Sequence, residues 1–297
     1  MKNRTEPSAA VCVLDDRGVI EVVGEDAAGF LQGIVTNDIL RVAPGAAEYA
    51  ALLAPQGKIL FDFLLAAPLS NGTGRFLLDC PSHLAPDLAR RLGFYRLRAK
   101  VTIADRSAAL SVVAAWGPDA DDLPGRLIGT HIVASFRDPR HADLGWRCIV
   151  ERAALADLSP ETRAAATIAA YEDHRIGLGV PKGGPDFAYG DAFPHEANLD
   201  RLNGIDFNKG CYVGQEVVSR VEHRGLARKR IVAVRFEGAA PEAGTEVTSG
   251  GGTLGVMGSS GGGKGLAMVR IERAEAAIAA GMTIVAGERA IEVLLPG

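Results

Sequence analysis

Lys209–Glu216 reads KGCYVGQE, inside the longer run NKGCYVGQEVV. Cys211 stands beside Gly210, two residues from Lys209 and just ahead of an expected helix. A helix N-terminus and a nearby cation both favour thiolate over thiol. Gly210 permits an unusual backbone and leaves the sulfur accessible. Cys211 is therefore a candidate functional thiol, and the competing reading is an inert, partly buried cysteine. The helix continues into SRVEHRG, where Glu216 and Arg220 are four apart in the order that favours a helical ion pair.

Working outward, the chain changes character from about residue 228. RIVAVRFEG, TEVTS, TLGVMGSS, GLAMVRI, MTIVAG and AIEVLLPG read as short strands separated by glycine-rich turns, with one helical stretch, RAEAAIAAG. This pattern predicts a small C-terminal β-barrel over 228–297. GSSGGGKG at Gly258–Gly265 approaches a phosphate-binding loop. However, Gly265 stands where a hydroxyl is needed, and the strand-like LAMVRI that follows offers no helix N-terminus, so a hairpin is expected.

Upstream of the motif, GLGVPKGGPDFAYGDAFPHEANLD is glycine- and proline-rich and must be loop. Before it, SPETRAAATIAAYEDHRIG predicts a helix capped by Ser159, with Pro160 at its first position and Gly177 at its end. The N-terminal part mixes short helices with strands. VCVL and VIEVV around DDRG suggest one hairpin, and AEYAALLA and KILFDFLLAA around PQG a second, with Gly57 serving the turn. SHLAPDLARRLGFYRL spaces Leu84, Leu88, Leu92 and Tyr95 as one helix face. RFLLD, AKVTIAD, LSVVAAWG and a hairpin from HIVASFRD to GWRCIV complete an α+β body over 1–227.

Composition narrows the function classes. A formal charge of −4 excludes a bulk nucleic-acid binder, because phosphate contacts need a basic surface. No 18-residue apolar stretch exists, so no membrane partner is expected. The early apolar run AAVCVL is too short for a signal-peptide core, and the expected location is the cytoplasm. Cys12, Cys80 and Cys148 lie in apolar, strand-like runs without a CxxC and read as core. The histidines form no HxxxH or HExxH pair, so no metal site is expected. His195 beside Glu196 reads first as loop packing, although a carboxylate there could bind a polar heterocycle. The basic run RVEHRGLARKR is either a solvated face or a trap for an anionic ligand tail or an acidic partner surface.

KGCYVGQE resembles the signature of YgfZ-type proteins, K-G-C-[FY]-x-G-Q-E. FLQGIVTNDI, PQGKILFDFLL, YRLRAKV and FPHEANLD upstream, and SRVEHRGLARKR downstream, are similar to that family in the right order, from about Phe30 onward. A wider superfamily includes the aminomethyltransferase of the glycine cleavage system (the T-protein). The resemblance implies an α+β fold: a folate-binding body of two intertwined α+β subdomains with a small C-terminal β-barrel. It implies tetrahydrofolate or a derivative as ligand, with Asn37, Asp38, Arg98, Glu196, Lys209, Tyr212 and Arg224 as candidate contacts. It also implies a folate-dependent accessory factor in assembly or repair of [4Fe–4S] proteins, acting through Cys211. Its partners would be iron–sulfur assembly proteins and client [4Fe–4S] enzymes. The T-protein usually carries GGxxDD where this chain reads GKILFD, so Phe61 replaces one acid and Asp62 remains. Asp62 would be the acid–base residue of the alternative, a tetrahydrofolate-dependent aminomethyltransferase or other one-carbon transferase. The lost acid pair and the added Cys211 favour an assembly factor over a classical enzyme.

Overall fold

Mostly apolar runs such as AEYAALL, ILFDFLLA and LSVVAAW form the strands of the N-terminal sheets. The computed structural model describes residues 9–70, 74–122, 131–156, 166–225 and 227–295. The chain divides into two compact units, one of Met1–Ala50 with Phe63–Tyr171, the other of Ala51–Asp62 with Glu172–Gly297.

In the first unit, β1 (Ala10–Val13), β7 (Leu110–Trp116), β9 (Trp146–Glu151) and β8 (Ile132–Arg137) form an antiparallel sheet in that order. β7 is buried at every position, which is why its sequence, LSVVAAW, is apolar except at Ser111 rather than alternating. A second sheet, whose β3 and β4 run on into residues of the second unit, has the order β3 (Ala47–Leu53), β4 (Ile59–Ala66), β5 (Arg75–Pro81), β2 (Arg17–Val23), β6 (Thr102–Asp105). The hairpins around PQG and between β8 and β9 form as expected. The one around DDRG does not. Val11 of β1 pairs with Ala115, whereas Ile20 of β2 pairs with Leu78 and Asp105 in the other sheet. A tight hairpin needs positive φ in its turn, and none occurs between Leu14 and Gly18. The segment instead carries the chain from one sheet to the other.

α1 (Ala27–Gln32) and α2 (Ala85–Arg96) also belong to this unit, α2 burying Ala85, Leu88 and Leu92. Its interior holds a charged hub. Arg147 of β9 pairs through Nη1 with Asp79 at 3.0 Å and through Nε with Asp138 at 3.1 Å, and its Nη2 donates to the Tyr171 hydroxyl. Arg17 also pairs with Asp79 at 2.6 Å, and Arg140 forks Asp138 at 2.9 and 2.7 Å.

α3 (Ile168–Gly177) crosses into the second unit. Ser159 and Pro160, expected to start it, lie outside the described residues. It ends at Gly177 as expected, and the turn that follows carries the cap. Val180 N–H bonds to the Arg175 carbonyl and Gly179 N–H to that of Ile176, so the left-handed residue of the cap is Gly179 (φ +74°), two residues past the helix end. Residues 178–214 then run without a helix or strand, and α4 (Gln215–Arg224) follows. The barrel is closed in the order β10 (Lys229–Phe236), β13 (Lys264–Arg270), β12 (Gly252–Gly261), β11 (Glu246–Ser249), β14 (Ile284–Ala286), β15 (Arg289–Leu294). α5 (Ile271–Ala279) packs Ala274 and Ala277 into a core with Val234, Val247, Met257 and Val269. GSSGGGKG is the hairpin expected in place of a phosphate loop: it closes β12, turns at Gly262–Gly263 and opens β13. Among the described residues no helix is long and apolar enough to cross a membrane.

Candidate functional site

The KGCYVGQE segment lies in the second unit, where the 178–214 loop enters α4. Asp206 is buried, and its Oδ1 accepts the N–H groups of Asn208 at 2.7 Å and Lys209 at 3.1 Å. Lys209 is buried too, and its ammonium lies 5.2 Å from the centre of the Tyr212 ring. Burial, and secondarily the Asp206 charge, push the Tyr212 phenol well up from its ordinary value, so it stays protonated. The backbone is thus anchored on both sides of an exposed Gly210–Cys211 pair. α4 starts only at Gln215, so Tyr212–Gly214 separate the sulfur from the helix.

Two glycines explain how this loop is seated. Gly214, the N-cap of α4, has φ +83°, and a Cβ there would stand 2.8 Å from the Ala54 carbonyl oxygen and 3.2 Å from Gly57 Cα. Gly57 has φ +79° in the PQG turn, and a Cβ there would meet Val217 at 2.8 Å. The turn and the start of α4 are packed backbone against backbone, which only glycine allows. Gly57 reads as a turn glycine from sequence, but nothing in the sequence singles out Gly214 or pairs the two.

Asp62 is buried, and its Oδ1 accepts a 2.5 Å hydrogen bond from the Tyr189 hydroxyl. Sequence reasoning missed Tyr189; a tyrosine in a glycine-rich loop gives no signal of a carboxylate partner 127 positions away. Glu196 Oε2 accepts the Phe193 N–H at 2.8 Å. His195 is buried with Nε2 3.0 Å from Glu222, and His195, Asp200 and Glu222 offer donor atoms within 4.8 Å of one another. Arg230 already forks Asp200 at 2.9 and 3.0 Å, so this group ties the loop to β10 through that ion pair and to α4 through the His195–Glu222 hydrogen bond. Arg224 is exposed in the last turn of α4. In the first unit, buried Asn37 donates to Glu48 at 3.0 Å and to the Tyr49 carbonyl at 2.8 Å. Asp38 accepts from Gln32 at 2.9 Å and from the Leu40 N–H, and Arg98 is exposed past the end of α2. Asp62, Glu196, Lys209, Cys211, Tyr212 and Arg224 therefore share the second unit; Asn37, Asp38 and Arg98 belong to the first.

Cys12, Cys80 and Cys148 are buried and Cys211 is exposed. Burial, helped by Asp15 and Asp16, pushes the Cys12 thiol up to about 11, and burial also raises that of Cys148. Brief alkylation of the native protein near neutral pH is therefore expected to mark Cys211 first. Peptide mapping that finds Cys12, Cys80 or Cys148 modified before Cys211 contradicts this.

Residues 3–149 match the GCVT N-terminal domain family, and residues 228–297 match the CAF17 C-terminal beta-barrel domain. The chain is 36% identical over 278 residues to the human "Iron-sulfur cluster assembly factor IBA57, mitochondrial", covering 88% of this chain and 77% of that protein. The chain belongs to the IBA57 family. The mouse IBA57 protein is 36% identical over 288 residues, covering 87% of this chain and 77% of its own. The IBA57 homologue of Mycosarcoma maydis is 36% identical over 245 residues, and the chain spans 59% of its length. These relatives carry the IBA57 name, where the motif pointed to YgfZ-type proteins. They are also named mitochondrial, which corrects the expected cytoplasmic location and points to the mitochondrion. Interior composition carries no address, and a short apolar run could not supply one. Among solved structures, the glycine cleavage system aminomethyltransferase T from Bartonella henselae superposes with a TM-score of 0.76 at 18% identity, over 98% of this chain and 86% of that one. The fold of this IBA57-family chain is therefore that of the T-protein, mixed α and β with a closed six-stranded barrel, as the motif resemblance implied.

Proposed function

We propose that this chain is a folate-dependent accessory factor in the assembly or repair of [4Fe–4S] proteins, acting through the Cys211 sulfur. One observation carries the reading: of four cysteines, Cys211 is the exposed one, on a loop held by buried Lys209 and Tyr212. The names of the IBA57 relatives support the process. One cysteine cannot hold a cluster alone, so the partners are iron–sulfur assembly proteins and client enzymes that bring further ligands. Tetrahydrofolate or a derivative is the proposed ligand, with Asn37, Asp38, Arg98, Glu196, Lys209, Tyr212 and Arg224 as its candidate contacts. The working division is a motif-bearing body, 1–227, and a barrel, 228–297.

The test is a deletion strain assayed for several [4Fe–4S] enzymes. Wild type is expected to restore them, while Cys211→Ala leaves them near the deletion level. Equal rescue by both removes the cysteine from the mechanism. Glycine-cleavage activity with lipoyl carrier protein would instead support the transferase reading, with Asp62 as its acid–base residue. Folate has its own measurement. A ligand that binds only the folded state stabilises it by about 2.7 kcal/mol at a hundred times its Kd. Tetrahydrofolate is thus expected to raise the melting temperature, and a flat response up to millimolar ligand removes folate from the proposal.

A further inference from the structure

The turn after α2 places a leucine where glycine belongs. Ala99 N–H donates to the Arg96 carbonyl at 2.8 Å, closing a four-residue turn. Leu97, its second residue, has φ 46° and ψ −108°. That is the type II′ position, where glycine dominates because a Cβ is strained there. The turn is held from outside itself: the Asp26 carboxylate accepts the Lys100 N–H at 2.7 Å, and Lys100 pairs with Glu25 at 2.6 Å. A leucine could repay such strain by packing into the core. Leu97 does the opposite and is 86% exposed, with Phe94 66% exposed one turn earlier. The gain from these side chains therefore lies outside this fold.

The surroundings say what kind of surface would cover them. Arg90–Lys100 carries five cations and no acid, on a chain of net charge −4. Arg90 pairs with Asp87 and Lys100 with Glu25. Arg91, Arg96 and Arg98 are exposed, and among the described residues no acid pairs with any of them. Arg91 and Phe94 are three apart and share one helix face. Two apolar side chains bury too little area to anchor a helix in a bilayer. An aromatic side chain flanked by arginines is instead the usual centre of a protein interface.

We propose that Phe94 and Leu97, framed by Arg91 and Arg96, are a docking surface for an acidic protein surface with an apolar recess. Resting on the assembly reading above, the occupant is an iron–sulfur carrier or client protein. The test uses the full-length chain in the deletion strain. Leu97→Gly is expected to melt at the same or a higher temperature, since glycine takes this backbone freely. Phe94→Ser with Leu97→Gly is expected to leave the [4Fe–4S] enzymes near the deletion level, and so is charge reversal with Arg91→Glu and Arg96→Glu. A lower melting temperature for Leu97→Gly overturns the strain argument. Full rescue by either double variant overturns the docking surface. Phosphatidylcholine vesicles with and without phosphatidylserine separate the remaining alternative. Binding by wild type that the Phe94/Leu97 variant loses would place this corner on a membrane and overturn the protein partner. Cys211→Ala runs in parallel, so that failure of the cysteine reading and failure of the docking surface give different patterns.

Discussion

Replacing Arg147 with alanine is expected to destabilise the first unit by about 3–5 kcal/mol, the usual effect of removing one partner from a buried ion pair. Arg147 is 3% exposed and reaches Asp79, Asp138 and Tyr171 from one guanidinium. Without it, two buried carboxylates each keep a single arginine, Arg17 or Arg140. Arg147→Lys is expected to recover little, because an ammonium cannot fork across both acids. Urea unfolding measures this, and a loss below about 1 kcal/mol would show that the hub relaxes or hydrates. The same hub sets an acid limit. Burial alone would raise the Asp138 carboxyl, but Arg140 and Arg147 outweigh it and hold it well below the ordinary value of 3.8. At acid pH the folded state therefore binds fewer protons here than the unfolded state. This stability is present above the ordinary carboxylate range and is lost as pH falls below it. In Arg147→Ala that acid-linked loss is expected to shrink, and an unchanged slope of stability against pH would contradict the assignment to Asp138.

Gly214→Val is expected to have a comparable effect with a different signature. A non-glycine residue at φ +83° costs about 1–3 kcal/mol. Overpacking against the Ala54 carbonyl and Gly57 adds about 1–3 kcal/mol. Because Gly214 is three residues from Cys211, the variant is also expected to change the alkylation rate of that thiol. Gly210→Ala is the control. No atom lies within 4 Å of its would-be Cβ and its φ is not positive, so its melting temperature should hold or rise slightly. Equal melting of Gly214→Val and wild type would mean that the PQG turn yields without resistance.

The barrel was legible in the sequence because its strands are short, alternating and punctuated by glycine turns. The misplaced hairpin at β1 and β2 has the opposite cause: a wholly apolar strand states that it is buried, not which neighbour it pairs with. The end of α3 at Gly177 was legible, whereas only the backbone bonds show that the left-handed residue behind it is Gly179. Cys211 stood out by its place between Lys209 and an expected helix, and then by the likeness of its octapeptide. The Asp62–Tyr189 bond and the Gly57–Gly214 contact were hidden because each joins segments far apart in the chain, and no periodicity encodes such a meeting.

The tips of β3 and β4, Ala51–Asp62, belong to the second unit, although the rest of that unit begins at Glu172. During synthesis this hairpin leaves the ribosome early and must wait for its own unit until the chain beyond Glu172 has been made. Cutting the gene between the two units would orphan it on the wrong fragment. Nascent chains expose such waiting apolar strands to aggregation, so the yield of folded protein should be sensitive to translation speed and holding chaperones, even where the finished molecule is stable.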